Sequence, residues 1–242
     1  MLRILISSTV FLFTLLSCTS STLKEKCCLP TLQKESFVFV KTETTFYICS
    51  DNGCHMDLSS HSKSVGSGFI VGAKNGDSLG VTAAHICIPD SPKDRKVHHV
   101  IKVQQWGGGS YAAEPVQILE EVDVCILKIK GITLPTLKLA RKAPAHGDAA
   151  YTLSAPHGIW EPDMVLTFDG FYSGKSRNIL GHDILDTYTI PAKGGSSGSP
   201  IFNHKGEIIG MTIIAMRGLE SFNLSPQFHV LESAIKSALT KM

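Results

Sequence analysis

The sequence predicts an all-β protein with one helix at its C-terminal end. Three observations carry that reading. From Ser36 onward, short β-type runs recur with little helical periodicity between them. Turn signals separate them, at Asp51-Asn-Gly53, Lys74-Asn-Gly-Asp77, Gly107-Gly-Gly109 and Asn203-His-Lys-Gly206. One late segment changes period: after Ser225-Pro226, the residues Val230, Leu231, Ile235 and Leu239 recur at helical spacing. Many short strands with so little helix point to a sandwich or to barrels.

The first stretch reads as targeting, not fold. Arg3 is followed by an apolar run, 4–16, interrupted only by Ser7, Ser8, Thr9 and Thr14. A positive start, an apolar core and then small residues are the marks of an export signal, placed at 1–17. Its end, Leu15-Leu16-Ser17-Cys18, resembles the lipobox of bacterial lipoproteins, in which the Cys becomes the lipidated N-terminus. The expectation is an exported protein, periplasmic or at the cell surface, held to a membrane through Cys18. A plain secretory signal cut near Ser17 to Ser20 is the alternative. Residues 18–35 follow as a polar tether.

The strand-like runs then fall into two groups. Runs at 37–40, 68–71, 97–103 and 122–129 belong to a first half, 36–140. Residues 141–148, Arg-Lys-Ala-Pro-Ala-His-Gly-Asp, read as a connector. Runs at 164–168, 183–190 and 207–214 belong to a second half, 149–226, and a helix is expected over 227–241. No internal repeat is present.

Composition bounds the function. The chain has 242 residues, 43% apolar and 18% charged, which suits a packed domain and not a disordered one. A formal net charge of +2 gives no basic excess, so nucleic acid is not an expected partner. Beyond the N-terminus, no apolar run approaches the ~20 residues of a membrane-spanning helix.

The seven cysteines are 18, 27, 28, 49, 54, 87 and 125. Removing Cys18 for a lipid leaves an even number, as suits an oxidising compartment. Cys49 and Cys54 flank turn residues, so a hairpin staple is expected there. Cys87 and Cys125 sit in apolar surroundings and either pair or remain buried thiols. His55 and His61 lie near Cys49 and Cys54, but the spacing matches no firm zinc pattern. No metal or cofactor is expected.

The chemistry concentrates in Gly194-Gly-Ser-Ser-Gly-Ser-Pro200, a loop followed directly by Ile201-Phe202. A nucleophilic serine needs room for a tetrahedral centre and amide N–H groups aimed at the oxyanion. Glycine at 195 and 198 lets the backbone turn tightly. The N–H groups of Gly195 and Ser197 would form the oxyanion hole. Ser196 competes with Ser197, and the flanking glycines favour Ser197. A serine hydroxyl needs a base to take its proton. Among ten histidines, His85 stands out in Val81-Thr-Ala-Ala-His85, at the end of a strand and beside small residues. His98, His99, His146, His157, His182, His204 and His229 lie in polar or turn segments and read as solvated surface. The imidazole needs a carboxylate to fix its tautomer. Asp123 lies in an apolar strand, where a lone charge would be costly, so it calls for a partner. Its rival, Asp90, sits in a Pro-flanked turn.

These pieces resemble the trypsin-like, chymotrypsin-fold serine peptidases of bacterial type. The protease domains of the high-temperature-requirement family and the glutamyl endopeptidases are similar. The matching pieces are Gly66-Ser-Gly-Phe-Ile70, Thr82-Ala-Ala-His85, Asp123-Val-Cys-Ile-Leu127, Ala155-Pro-His-Gly158, Gly195-Ser-Ser-Gly-Ser-Pro200 with Ile201-Phe-Asn203, and Gly206-Glu-Ile-Ile-Gly210. They occur in the family's order, across about 36–216. The resemblance implies two six-stranded antiparallel barrels with a triad in the cleft between them. It implies His85 as base, Asp123 as orienter and Ser197 as nucleophile.

Departures carry information too. Ser196 stands where the family has Asp or Asn, so activation by pairing with a freshly cut N-terminus is not expected. Ile86 separates His85 from Cys87, so the disulfide that many secreted members form beside the histidine is not assumed here. No sequence follows Met242 for a peptide-binding PDZ domain, so a lone protease domain is expected. The resemblance puts the base of the primary specificity pocket near Pro191, with walls near Ile190, Ala192, Ile213 and Ala215. With no carboxylate there, cleavage after Lys or Arg is disfavoured. Thr212 stands about where glutamyl endopeptidases carry a histidine, which argues against Glu. A small or medium apolar residue is expected before the scissile bond.

The leading expectation is an exported serine endopeptidase acting on protein or peptide substrates through an acyl-enzyme. The alternative is a surface-binding module that keeps the fold without activity. A metal-binding protein using Cys49, Cys54, His55 and His61 is a third and weaker reading.

Overall fold

The structure is a computed structural model that describes residues 32–50, 53–89, 96–179, 182–215 and 221–242. The stretch expected to be an export signal, Cys18, most of the expected tether, part of the 51–53 turn and Asp90 lie outside the described residues.

The first half contains β1 (Phe37–Ser50), β2 (Gly53–Lys74), β3 (Asp77–Thr82), the short helix α1 (Ala84–Cys87), β4 (Lys96–Gln105), β5 (Ser110–Leu119) and β6 (Val124–Ile129). These strands close into an antiparallel barrel in the order β1-β2-β3-β6-β5-β4. Its interior holds Val38, Val40, Ile70, Ile101, Val103, Cys125, Leu127 and Ile129. Residues one step out of phase, such as Phe37, Phe39, Phe69, Val124 and Ile126, face a second core against the other half. Strands buried on both faces need no polar alternation. This is why β6 reads as a continuous apolar run.

The second half contains β7 (Ala149–Ser154), β8 (Leu166–Ile179), β9 (His182–Tyr188), β10 (Pro200–Phe202), β11 (Ile208–Met211), β12 (Ile214–Ala215), β13 (Asn223–Pro226) and the helix α2 (Phe228–Thr240). The strands form one sheet in the order β11-β10-β7-β8-β9-β13-β12. The expectation of two barrels holds, with a difference in detail. The second has seven strands and stays open between β11 and β12, which lie at opposite ends of the sheet yet are joined by only Thr212 and Ile213. At that joint the chain changes partners: Thr212 N–H donates to Ser199 O at 2.9 Å, and Ile213 N–H donates to Leu224 O at 2.9 Å. One expected strand, 207–214, is thereby split into two.

The segment between the halves runs along the second sheet. Leu139 forms a parallel bridge with Ile208, and Ala140 N–H donates to Ile208 O at 2.9 Å. The helix α2 buries Phe228, Leu231, Ala234, Ile235 and Ala238. Leu239, expected on the apolar stripe, is exposed, and Ala238 takes the inward position. Gln227 supplies no side-chain cap to α2. Asp186, on β9, accepts the Phe228 N–H at 2.8 Å and satisfies the first turn from across the sheet. Among the described residues, no helix is long and apolar enough to cross a membrane.

Candidate active site

His85 sits on α1, a single helical turn directly after β3. Asp123 sits just before β6, where a short 3-10 turn, Glu120–Val122, ends. Its φ of 53° and ψ of 46° are left-handed, a conformation Asp adopts more readily than most residues. β3 and β6 are adjacent, with Thr82 opposite Cys125, so the ends of both strands meet at one point of the barrel rim. Asp123 there accepts two hydrogen bonds from the same residue. His85 Nδ1 lies 2.8 Å from Oδ2, and His85 N–H donates to Oδ1 at 3.0 Å. The carboxylate is buried, while the His85 side chain is 48% exposed. Its partnered nitrogen therefore faces inward, and its other ring nitrogen is left toward solvent.

A disulfide braces this pair. Cys87 and Cys125 are bonded, which decides between the two states the sequence left open. The expected staple between Cys49 and Cys54 is also a disulfide. That bond removes both thiolates from the metal-binding reading, since thiolate ligands must be free and deprotonated. Among the described residues, no group of three or more His, Cys, Asp or Glu side chains is placed to hold a metal ion.

The loop 193–199 makes a tight turn. Ser196 N–H donates to Lys193 O at 2.8 Å, and Gly195 has φ +94°. Positive φ at the third residue of such a turn favours glycine. A Cβ on Gly195 would lie 2.4 Å from Ala155 O, and one on Gly198 would lie 2.0 Å from Ser67 O. Both positions therefore exclude a side chain twice over, by conformation and by space.

The three serines differ sharply. Ser196 is buried, and its hydroxyl accepts the Lys193 N–H at 3.2 Å. It thereby closes its own turn. Ser199 is buried and donates to Ser154 Oγ at 2.9 Å. Ser197 is half-buried, and its hydroxyl has a long contact to Ile213 O at 3.5 Å.

Two residues with no role in the sequence reading hold this loop. Ser67, on β2 of the first barrel, is fully buried. Its N–H donates to Ser197 O at 2.8 Å, and its hydroxyl donates to Gly195 O at 2.9 Å. Its carbonyl accepts from Thr82 Oγ1 at 2.8 Å. One residue thus links the first barrel to both ends of the tight turn. The Gly66-Ser-Gly68 context was the available signal. The second is His157, which is at the surface as expected but at φ 56°. Its N–H donates to Gly194 O at 2.6 Å. All described peptide bonds are trans, so the Gly195 N–H points opposite to the Gly194 carbonyl, away from His157.

The expected pocket residues are placed unevenly. Ile190 is in the core of the second sheet with Tyr188 and Ile201, and Ile213 is in the core between the halves. Ala192 is buried and Pro191 is exposed. Ala215 lies on β12, opposite Asn223.

A family model described as a trypsin-like peptidase domain matches residues 66–211. This chain belongs to the trypsin-like peptidase family. The fold and family are those of a serine endopeptidase. The chain is 28% identical over 162 residues to "Serine protease HTRA1" of Xenopus tropicalis, across 65% of this chain and 33% of that protein. It is 29% identical over 162 residues to "Probable periplasmic serine endoprotease DegP-like" of Pseudomonas putida, across 64% of this chain and 30% of that protein. The chain thus spans about a third of the length of these curated relatives. Among solved structures, an HtrA-type protease with tripeptide superposes with a TM-score of 0.62 at 18% identity, covering 84% of this chain and 60% of that one. An inactive form of Rv3671c from M. tuberculosis H37Rv gives 0.59 at 17% identity, covering 84% of this chain and 86% of that one. Both show the fold of this trypsin-like peptidase.

Proposed function

We propose that this chain is a serine endopeptidase in which His85, Asp123 and Ser197 form a catalytic triad. The observation that supports it best is the double hydrogen bond from His85 to Asp123, at 2.8 and 3.0 Å. A carboxylate on Nδ1 fixes the tautomer that leaves Nε2 free to accept a proton, and it stabilises the imidazolium that forms. Ser197 attacks the peptide carbonyl as His85 takes its proton. The N–H groups of Gly195 and Ser197 hold the oxyanion. His85 then protonates the leaving amine, and water resolves the acyl-enzyme.

The test is cleavage of an unfolded protein substrate by the full chain. Hydrolysis abolished by Ser197→Ala and by His85→Ala, with the fold retained, supports the reading. Hydrolysis that survives both substitutions overturns it.

Export and membrane attachment belong to the same proposal. The 1–18 sequence supports cleavage before Cys18 and lipidation of its thiol, and the DegP-like relative carries "periplasmic" in its name. Cys18→Ala should move the protein from the membrane to the soluble fraction of cells. An unchanged distribution would leave a plain secretory signal as the better account.

A further inference from the structure

We propose that Asn223 sets the specificity of this site and selects a carboxamide side chain, glutamine or asparagine, immediately before the scissile bond. The inference rests on Ser197 being the nucleophile.

Asn223 opens β13 and is 1% exposed. Neither its Nδ2 nor its Oδ1 has a hydrogen-bond partner among the described residues. Buried polar groups nearly always have partners, and an unmet one is costly to keep. The neighbouring buried polar side chains obey that rule. Tyr188 Oη donates to Ile209 O at 3.0 Å, Ser225 Oγ accepts the Met211 N–H at 3.0 Å, and Asp186 accepts from both Tyr172 Oη and Phe228 N–H. Asn223 departs from its surroundings in this respect.

Its place relates it to the nucleophile. Asn223 pairs with Ala215 of β12 on one side and with Tyr188 of β9 on the other. β12 follows Ile213, whose carbonyl is the contact of the Ser197 hydroxyl, and Ile213 N–H donates to Leu224 O at 2.9 Å, one residue from Asn223. β9 runs on through 190–192 into the loop that carries Ser197. Asn223 therefore lies between the two chain segments that lead away from the nucleophile. Paired residues on adjacent strands share a face, and successive residues alternate. Asn223 is on the face of Tyr188, and Leu224 is on the other, in the core between the halves. These are the segments expected to wall the specificity pocket. Ile190 and Ile213 carry only apolar side chains, whereas Asn223 brings an unmet amide to the strand between these segments.

The chemistry of the unmet atoms selects the ligand. Nδ2 offers donors and Oδ1 offers an acceptor, and a carboxamide meets both in a pair of parallel hydrogen bonds. A carboxylate satisfies Nδ2 but sets an oxygen against Oδ1. An ammonium satisfies Oδ1 alone, and an alkyl group satisfies neither. A site built to hydrogen-bond its substrate discriminates strongly against analogues that leave its buried polar groups unpaired. This differs from the apolar preference expected from the sequence.

The experiment assays the full chain on fluorogenic peptides that differ only in the residue before the bond: Gln, Asn, Leu, Val, Glu or Lys. The expected kcat/KM for Gln or Asn exceeds that for Leu and Val by roughly tenfold or more. Asn223→Leu should reverse that order. Asn223→Asp, nearly the same shape, should lose Gln cleavage and gain Lys cleavage, and it decides the matter if the Leu variant does not fold. Active sites are counted with a fluorophosphonate, so that unfolding is read as lost sites and not as altered specificity. A wild-type preference for alkyl residues, or the same order in wild type and both variants, overturns the inference while Ser197 still takes the label. If Ser197 takes no label and no peptide is cut, the serine-peptidase reading fails and this inference fails with it.

Discussion

Cys87 is bonded to Cys125, and each lies two residues past a member of the His85–Asp123 pair. The disulfide therefore ties α1 to the start of β6 at the point where the imidazole meets its carboxylate. It closes a loop with a sequence separation of 38. In the chain-entropy account, a loop of that length stabilises by about 4 kcal/mol.

Replacing both Cys87 and Cys125 by Ala should lower the melting temperature substantially and reduce kcat as well. Replacing Cys49 and Cys54 at the far end of the β1–β2 hairpin should leave kcat unchanged. Melting curves and kinetics of the two double variants give the comparison. Equal losses of kcat would show that the Cys87–Cys125 bond does not serve the site.

Asp123→Asn should reduce kcat by about 10⁴-fold with little change in fold. An amide group facing His85 Nδ1 would be a donor meeting a donor, which drives the imidazole to the tautomer whose exposed nitrogen cannot accept a proton. Circular dichroism and steady-state kinetics check both halves. A loss below about tenfold would remove Asp123 from the mechanism.

Ser67→Ala removes the hydroxyl that donates to Gly195 O and accepts the Ala155 N–H. It leaves two buried backbone groups short of a partner, at a cost of about 1–3 kcal/mol. The effect should fall on kcat more than on KM, because the oxyanion turn loosens while the substrate-binding strand is untouched. A variant that loses stability but keeps its kcat would make Ser67 a packing residue only.

Burial holds the Asp186 carboxyl above the usual carboxylate range, against the opposing effect of its hydrogen bonds from Phe228 and Tyr172. A carboxyl raised in the folded state contributes stability that is full below its unfolded pKa of ~3.9 and is lost as pH rises through the folded value. Relative to Asp186→Asn, the wild type should therefore lose stability as pH rises from about 4. The difference in melting temperature between the two proteins, followed against pH, tests this. A difference that moves the other way would mean that the hydrogen bonds outweigh burial.

The sequence made the local devices legible and left the long-range ones hidden. The glycines at 195 and 198, the histidine just after a strand-like run and the acid at the edge of an apolar run each carry their own signal. β12 is too short to have one, and it exists because Thr212 and Ile213 exchange sheet partners. Leu231 and Ile235 of the expected stripe are buried, but the covered face of α2 continues through Ala238 and leaves Leu239 exposed. The Gly66-Ser-Gly68 context marked Ser67 without its role, since its partner Gly195 is 128 residues away, and the unmet amide of Asn223 left no local signal. Likewise Cys87 and Cys125 looked equally suited to free thiols until strand pairing brought them together.

The central claim is that one serine of the loop, Ser197, is activated by His85. A fluorophosphonate probe added to the full chain, with the labelled residue mapped by mass spectrometry, tests it most directly. The account predicts label on Ser197 alone, abolished by Ser197→Ala and strongly slowed by Asp123→Asn. Label on Ser196 or Ser199, or none on the folded protein, would contradict it.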